Sequence, residues 1–367
     1  MKYLISVFLA ILFFQSLPAQ SVSVTFDPEH AGNNDYTFPV KEGTVAISNN
    51  QFVIAGIQVI QPEAWSISSD RNKLAFLQKR EMLYLRSIDH KGRLLIEKGL
   101  EFFNPEDTTL DVYQFSDGRT VIRDNVANFT FFDPRGEEIF SVSNFAQSPD
   151  GERESRLSSD KAGKILVLYN PVIAFGSGTG SRARLVSFGN ETETFFRDNN
   201  REIKFLEVSD DGAFITLIAT DGSNDQVLIF DRFGNELISF DADGMLTGAV
   251  ISPGGEFLTT FRDARMQVIR VADGEVLGSA SSRNNIIQAS YFPDDGMLIS
   301  LNGNLNNHRI TNASITAVHV TRRQIASENV SMQLSKLVPG SIDLLRTGEN
   351  RFRISGMNRD LLLDTRF

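Results

Sequence analysis

Apolar residues come in short runs along most of the chain, and the runs are separated by tight polar corners. Residues 228–240, LIFDRFGNELISF, show the pattern: an apolar run ends at Asp231, Gly234 follows three residues later, and a second apolar run begins. Runs of this length, rich in Val, Ile, Leu and Phe and bounded by Asp and Gly, predict β-strands joined by hairpin corners. Amphipathic helical periodicity is scarce; NVSMQLSKLVPG from Asn329 is the one short helical candidate beyond the N-terminus.

Two corner signals recur. In the first, a strand runs into a Ser/Pro-Asp-Gly turn and a second strand follows: YQFSDGRTVI from Tyr113, LEVSDDGAFITLI from Leu206, AVISPGGEFLTTF from Ala249 and SYFPDDGMLIS from Ser290. Weaker copies start at Ser66, Ser155 and Leu344. The second signal surrounds Asp89, Asp133 and Asp231 and is shortened at Asp273, with separations of 44, 98 and 42 residues; VSFGNETETFF from Val186 falls where the 98-residue gap needs a copy. Markers of the first signal at Asp70, Asp117, Asp160, Asp211, Gly254, Asp295 and Glu349 are spaced by 47, 43, 51, 43, 41 and 54 residues. Seven units of four strands fit that period, which predicts an all-β fold, a single β-propeller; six and eight blades are the alternative counts. Stacking blades side by side covers faces that a lone four-stranded sheet would leave exposed. The 29 Phe against a single Trp suit that packing.

The S-x-D-G units resemble WD40-like β-propellers, and more closely the PD40 repeats of TolB-type periplasmic propellers, over residues 64–366. No Trp-Asp ends a unit, no Gly-His opens one, and no α/β domain stands ahead of them as in TolB-like proteins.

The chain ends add two expectations. MKYLISVFLAILFFQSLPAQ, with Lys2, an apolar run and then Leu17-Pro18-Ala19, has the layout of a cleavable signal peptide over residues 1–19. Its apolar run is shorter than the ~20 residues that span a bilayer, so an exported protein, periplasmic or secreted, is expected. Residues 20–51 then read as an N-terminal extension and 52–367 as the propeller. Three strands near 341–345, 351–355 and 361–365 leave the last blade one strand short, and FVIAGIQVI, Phe52 to Ile60, is expected to supply it.

Composition removes several function classes. There is no Cys, so disulfides, Cys-ligated zinc, a Cys nucleophile and a lipoprotein anchor are excluded. With 36 basic and 46 acidic side chains the charge is -10, which opposes nucleic acid and anionic membrane surfaces. GSGTG at 176–180 lacks the Lys-Ser/Thr of a phosphate-binding loop, and DADG at 241–244 lacks the closing Glu of a calcium loop. The four His show no ligand spacing, and no G-x-S-x-G elbow occurs. No cofactor or metal is expected. Asn128, Asn190, Asn312 and Asn329 match the short glycan-acceptor pattern.

Candidate binding residues fall in two places. Asp111, Arg156, Glu207 and Asp343 are polar residues on first strands, which line the central channel of a propeller. They would bind a polar ligand or hydrogen-bond to channel water. Units three and six carry extra residues, 170–182 and 302–312, between second and third strands; Arg182, Asn306, His308 and Arg309 are the candidates there. The expected function is a monomeric, non-catalytic module that binds a protein segment or glycan through the face bearing these insertions. The alternative is a carbohydrate-active hydrolase or lyase using channel carboxylates Asp111, Glu207 and Asp343.

Overall fold

Asp and Gly corners build this fold by satisfying their own backbone. In the computed structural model, the Asp89 carboxylate accepts the N–H groups of Lys91 (2.9 Å) and Arg93 (2.8 Å), and Asp231 accepts those of Phe233 (2.8 Å) and Asn235 (2.9 Å). Asp133 does the same with Arg135 and Glu137. At the other corner, the Ser68, Ser209 and Ser252 hydroxyls accept the N–H five residues on, at 3.0, 3.0 and 3.1 Å. Each first-signal corner also holds positive-φ backbone: at Arg71, Gly118, Gly163, Gly212, the pair Gly254 and Gly255, Gly296 and Asn350. Side-chain caps and left-handed residues are what tight hairpins require, so the same short grammar recurs.

The structure describes residues 20–26, 36–40, 43–48, 51–54, 58–101, 110–124, 127–143, 147–148, 151–152, 155–171, 181–187, 191–242, 244–306, 309–336 and 342–367. The seven predicted units each form one antiparallel sheet with strands in chain order. Their first strands are Ala64–Ile67, Asp111–Gln114, Arg156–Ser159, Glu202–Val208, Gly248–Ile251, Ile286–Phe292 and Asp343–Gly348. Successive sheets share apolar interfaces: Leu85 and Ile96 of unit one with Val112 and Ile122 of unit two, Phe131 with Leu166 and Leu168 of unit three, and so on to unit seven. Phe131 stacks on Phe140 with ring centres 4.3 Å apart. This is the packing of a β-propeller.

The N-terminal strand does join the last sheet, but it is not the one expected. Ser21–Phe26 pairs antiparallel with Leu361–Arg366, from Ser21 opposite Arg366 to Phe26 opposite Leu361, and Val22 is buried in the interface of units six and seven. The described residues of the expected segment, 52–54 and 58–60, instead belong to a separate four-stranded sheet of Tyr36–Val40, Gly43–Ser48, Gln51–Ile54 and Gln58–Ile60. Phe52 packs edge-on against Trp65 and Phe76 of unit one. Alternation in SVSVTF fits the last sheet because Val22 turns inward, and residues 36–60 carry no Ser-x-Asp-Gly marker, which hid an extra sheet. The expected extension, 20–51, therefore contributes strands to two sheets.

Two further segments differ from their sequence reading. NVSMQLSKLVPG has no helix among its described residues; Leu334–Ser335 pairs with Arg309 and Ile310 as a short strand. The unit-six insertion is not a loop but a lengthened hairpin, Met297–Asn306 with Arg309–His319, bent at a register shift between Asn302 and Asn304. Ile310 is buried in the interface of units six and seven, and this apolar contact holds the extra length in strand form.

Candidate functional site

A cavity of about 390 Å³ lies between the first strands of units four to seven. Its walls are Val250 and Ile251 from unit five, Gln288, Ser290 and Phe292 from unit six, and Ile342 through Arg346 from unit seven. Glu207 and the second-strand residue Thr216 close the unit-four side. The pair comes from one register position, Glu207 opposite Thr216. At one end the lining includes the strand-one to strand-two corners, with Ser209, Asp210, Asp211, Pro253 and Asp294. The Asp210 and Asp294 side chains are 51% and 75% exposed, so this end meets solvent.

Acidic and basic groups meet at the unit-four side of the cavity. Burial pushes the Glu207 carboxyl up to about 8, and the negative charges of Asp343 and Asp210 push the same way; Lys336 and Lys161 oppose them. Lys336 is held below the usual lysine range by burial and by Arg156, against the pull of Glu207 and Asp343. Lys161 ion-pairs with Asp210. Arg346 donates to Asp295 at 2.5 and 3.2 Å and lies 3.8 Å from Asp294. Thr216 is 1% exposed, and its hydroxyl has no hydrogen-bond partner among the described residues. An orphan buried hydroxyl beside a desolvated carboxyl marks where a polar ligand atom fits.

The four channel candidates divide into two linked groups. Glu207 and Asp343 face each other electrostatically across the cavity. Asp111 ion-pairs with Arg123 at 2.5 Å, and Arg123 also donates to the Ser155 carbonyl at 2.8 Å. Burial, then Asp111, push the Tyr113 hydroxyl up, while Arg123 and Arg156 oppose the shift. Arg156 acts on both groups, through Tyr113 and through Lys336. Asp111 and Arg156 are not in the cavity lining.

The insertion candidates sit elsewhere. Second-to-third-strand connections emerge at the opposite end of each antiparallel sheet from the corners that line the cavity. Arg182 is half-buried on Ser181–Ser187 and, after burial itself, lowers the pKa of Arg184. Asn306 pairs with Arg309 near the tip of the long hairpin, and Arg309 also pairs with Ser335. His308 and residues 172–180 lie outside the described residues.

Sequence reasoning missed Asp210, Thr216, Lys336 and Arg346. Asp210 was readable as the second acid of the Ser-Asp-Asp-Gly corner. Lys336 was masked by the helical reading of its segment. Thr216 carries no signal in sequence, since only the register places it behind Glu207.

No protein-family model matches the chain, and no curated protein matches it. A chain of a solved structure described as the crystal structure of a mitotic checkpoint complex superimposes with a TM-score of 0.48 at 12% identity, over 83% of this chain and 89% of that chain. The fold assignment rests on the sheet order and the interfaces between sheets.

Proposed function

We propose that the chain is an exported binding module that holds a segment of another protein in the cavity between units four and seven. The observation that carries this reading is the cavity itself: an apolar wall of Val250, Ile251, Ile342, Leu344 and Leu345, with a few convergent polar groups and a solvent-facing end. Binding sites have that composition, because apolar surface supplies affinity and sparse polar groups fix orientation. The signal-like N-terminus is the support for export, and the absence of nucleophile and metal motifs from the sequence favours binding over catalysis.

A cross-linked pull-down from the exporting cell's envelope tests it, comparing the intact protein with Val250→Trp, which fills the cavity. Loss of a captured protein on filling is expected. Equal capture by both removes the cavity from the account and returns attention to the insertion hairpin at Asn306 and Arg309.

One observation favours a second reading. A carboxyl raised to about 8 beside another carboxylate is the split that acid–base glycoside chemistry uses, with Glu207 as acid and Asp343 as its partner. Asp111 has no place in that version, being bound to Arg123 outside the cavity. Any glycosidase activity that survives in both Glu207→Gln and Asp343→Asn would end this reading.

A further inference from the structure

We propose that a polar cleft between units five and six is a second ligand site, which takes neighbouring hydroxyls of a sugar ring. It is separate from the cavity between units four and seven and does not depend on it. Strand register sets its floor. On the face of unit six that meets unit five, Leu298, Val318 and Ile325 form one cross-strand row, and Leu298 and Val318 pack on Phe261, Met266 and Val268 of unit five. The next two rows of that face are wholly polar: Ser300 with Thr316 and Ser327, then Asn302 with Ser314 and Asn329. Where apolar side chains would continue the interface there is a cleft of about 140 Å³, lined by Arg283, Ser314, Thr316, Ser327, Glu328 and Asn329, with no apolar residue among them.

Burying polar groups is costly unless they are hydrogen-bonded, and only part of this set is. The Ser300 hydroxyl donates to Asn302 Oδ1 at 2.9 Å, which fixes that amide so that Nδ2 donates to Thr316 Oγ1 at 3.0 Å; Thr316 meets the Ser327 hydroxyl at 3.2 Å. The relay ends at the cleft. Ser314 is 5% exposed and its hydroxyl has no partner among the described residues, so its hydrogen bond has to come from the cleft. At the rim, Arg283 and Glu328 are exposed, and among the described residues neither forms an ion pair. The loop that carries Arg283 is pinned on both sides, by Ser282 N–H on the Ala264 carbonyl and Asn284 Nδ2 on the Asn312 carbonyl, each at 2.8 Å.

The lining selects the ligand class. A guanidinium only donates and a carboxylate only accepts, whereas amides and hydroxyls do both. Arg283 and Glu328 cancel in charge, and so do Asp263 and Arg265 on the adjoining turn of unit five; Arg262 of that turn lies against Gly244 on the unit-four side. The cleft therefore favours no ion. A neutral group that donates and accepts from adjacent atoms, and needs no apolar wall, matches it, and neighbouring hydroxyls on a sugar ring are such a group.

Full-length protein is titrated with the methyl α-glycosides of mannose, glucose and galactose, with glycerol as a free polyol, with tetrahydropyran-2-methanol as the ring without neighbouring hydroxyls, and with acetate as an anion. Binding is followed by NMR through the Arg283 Nε–H and the Asn329 side-chain amide, and through the methyl groups of Ile251 and Ile342 in the other cavity. At least one glycoside is expected to move the Arg283 and Asn329 signals, with an affinity at least about tenfold above glycerol and tetrahydropyran-2-methanol, as hydrogen bonds to charged groups require. Arg283→Ala, an exposed position that the fold does not need, should lower that affinity by about tenfold, read at Asn329. Ser314→Ala should lower it by a smaller factor. The Ile251 and Ile342 signals should stay in place.

Glycerol or tetrahydropyran-2-methanol binding as tightly as the best glycoside would overturn the sugar ring. Acetate alone moving the signals would make the cleft an anion site, and shifts confined to Ile251 and Ile342 would move the sugar to the other cavity; either result overturns the proposal. So does an affinity unchanged in both variants, and so does silence from every probe, which would leave the cleft to water.

Discussion

Replacing Glu207 with Gln should stabilise the protein at pH 8 and leave it nearly unchanged at pH 4. In the folded protein this carboxyl is raised from the ordinary 4.5 to about 8. Below pH 4.5 the group is protonated in both folded and unfolded chains, so it makes no difference to stability. As pH rises from there the unfolded chain releases the proton while the folded one keeps it, and stability falls until about pH 8, where the folded carboxyl also ionises. At about 1.4 kcal/mol per unit, the full penalty is ~4–5 kcal/mol. Gln keeps the shape and does not ionise, so the gain should grow across pH 4.5–8 and then level off. Urea unfolding of wild type and variant at half-unit pH steps measures the difference directly. A constant difference between the two from pH 4 to 8 would refute the enclosure of Glu207.

Other substitutions test the framework. Val22→Asp should cost at least ~3 kcal/mol by putting a charge into the interface of units six and seven, read as a fall in urea midpoint; an unchanged midpoint would detach Ser21–Phe26 from the last sheet. Phe131→Ala should cost ~3–5 kcal/mol, because the ring is buried and stacked between units two and three. Asp360→Asn should cost about 2 kcal/mol, since the buried carboxylate of unit seven binds both Arg71 of unit one and Arg353; those arginines reach solvent, which keeps the loss moderate. Gly163→Ala should be destabilising by ~1–3 kcal/mol, because φ is 66° there and a Cβ would run into the Phe115 ring.

How much could be read beforehand depended on whether the information was local. The Asp-Gly corners are local, because Asp89, Asp133 and Asp231 fold their own turns, and their spacing carried all seven units. The strand that joins the last sheet was not local. Its partner, Leu361–Arg366, lies at the other end of the chain, and two apolar segments competed for the place with nothing in sequence to choose between them. The sheet at 36–60 escaped because its sequence lacks the marker that the seven units share. Glu207 and Asp343 stood out as polar residues on strands where apolar ones would suffice. The cavity they share is assembled from four segments far apart in sequence, so its apolar wall, the orphan Thr216 hydroxyl and Lys336 become visible only once the first strands are brought side by side.

The central claim is that the cavity between units four and seven, and not the outer edge of the sheets, is where the protein meets its partner. A photo-reactive phenylalanine analogue placed at Leu345, in the cavity wall, and separately at Leu237, 53% exposed on the outermost strand of unit four, tests it in the cell that makes the protein. Ultraviolet light should give a discrete adduct from position 345 and none from 237, and Val250→Trp should abolish it. An adduct from 237 alone, or one from 345 that survives Val250→Trp, would contradict the account.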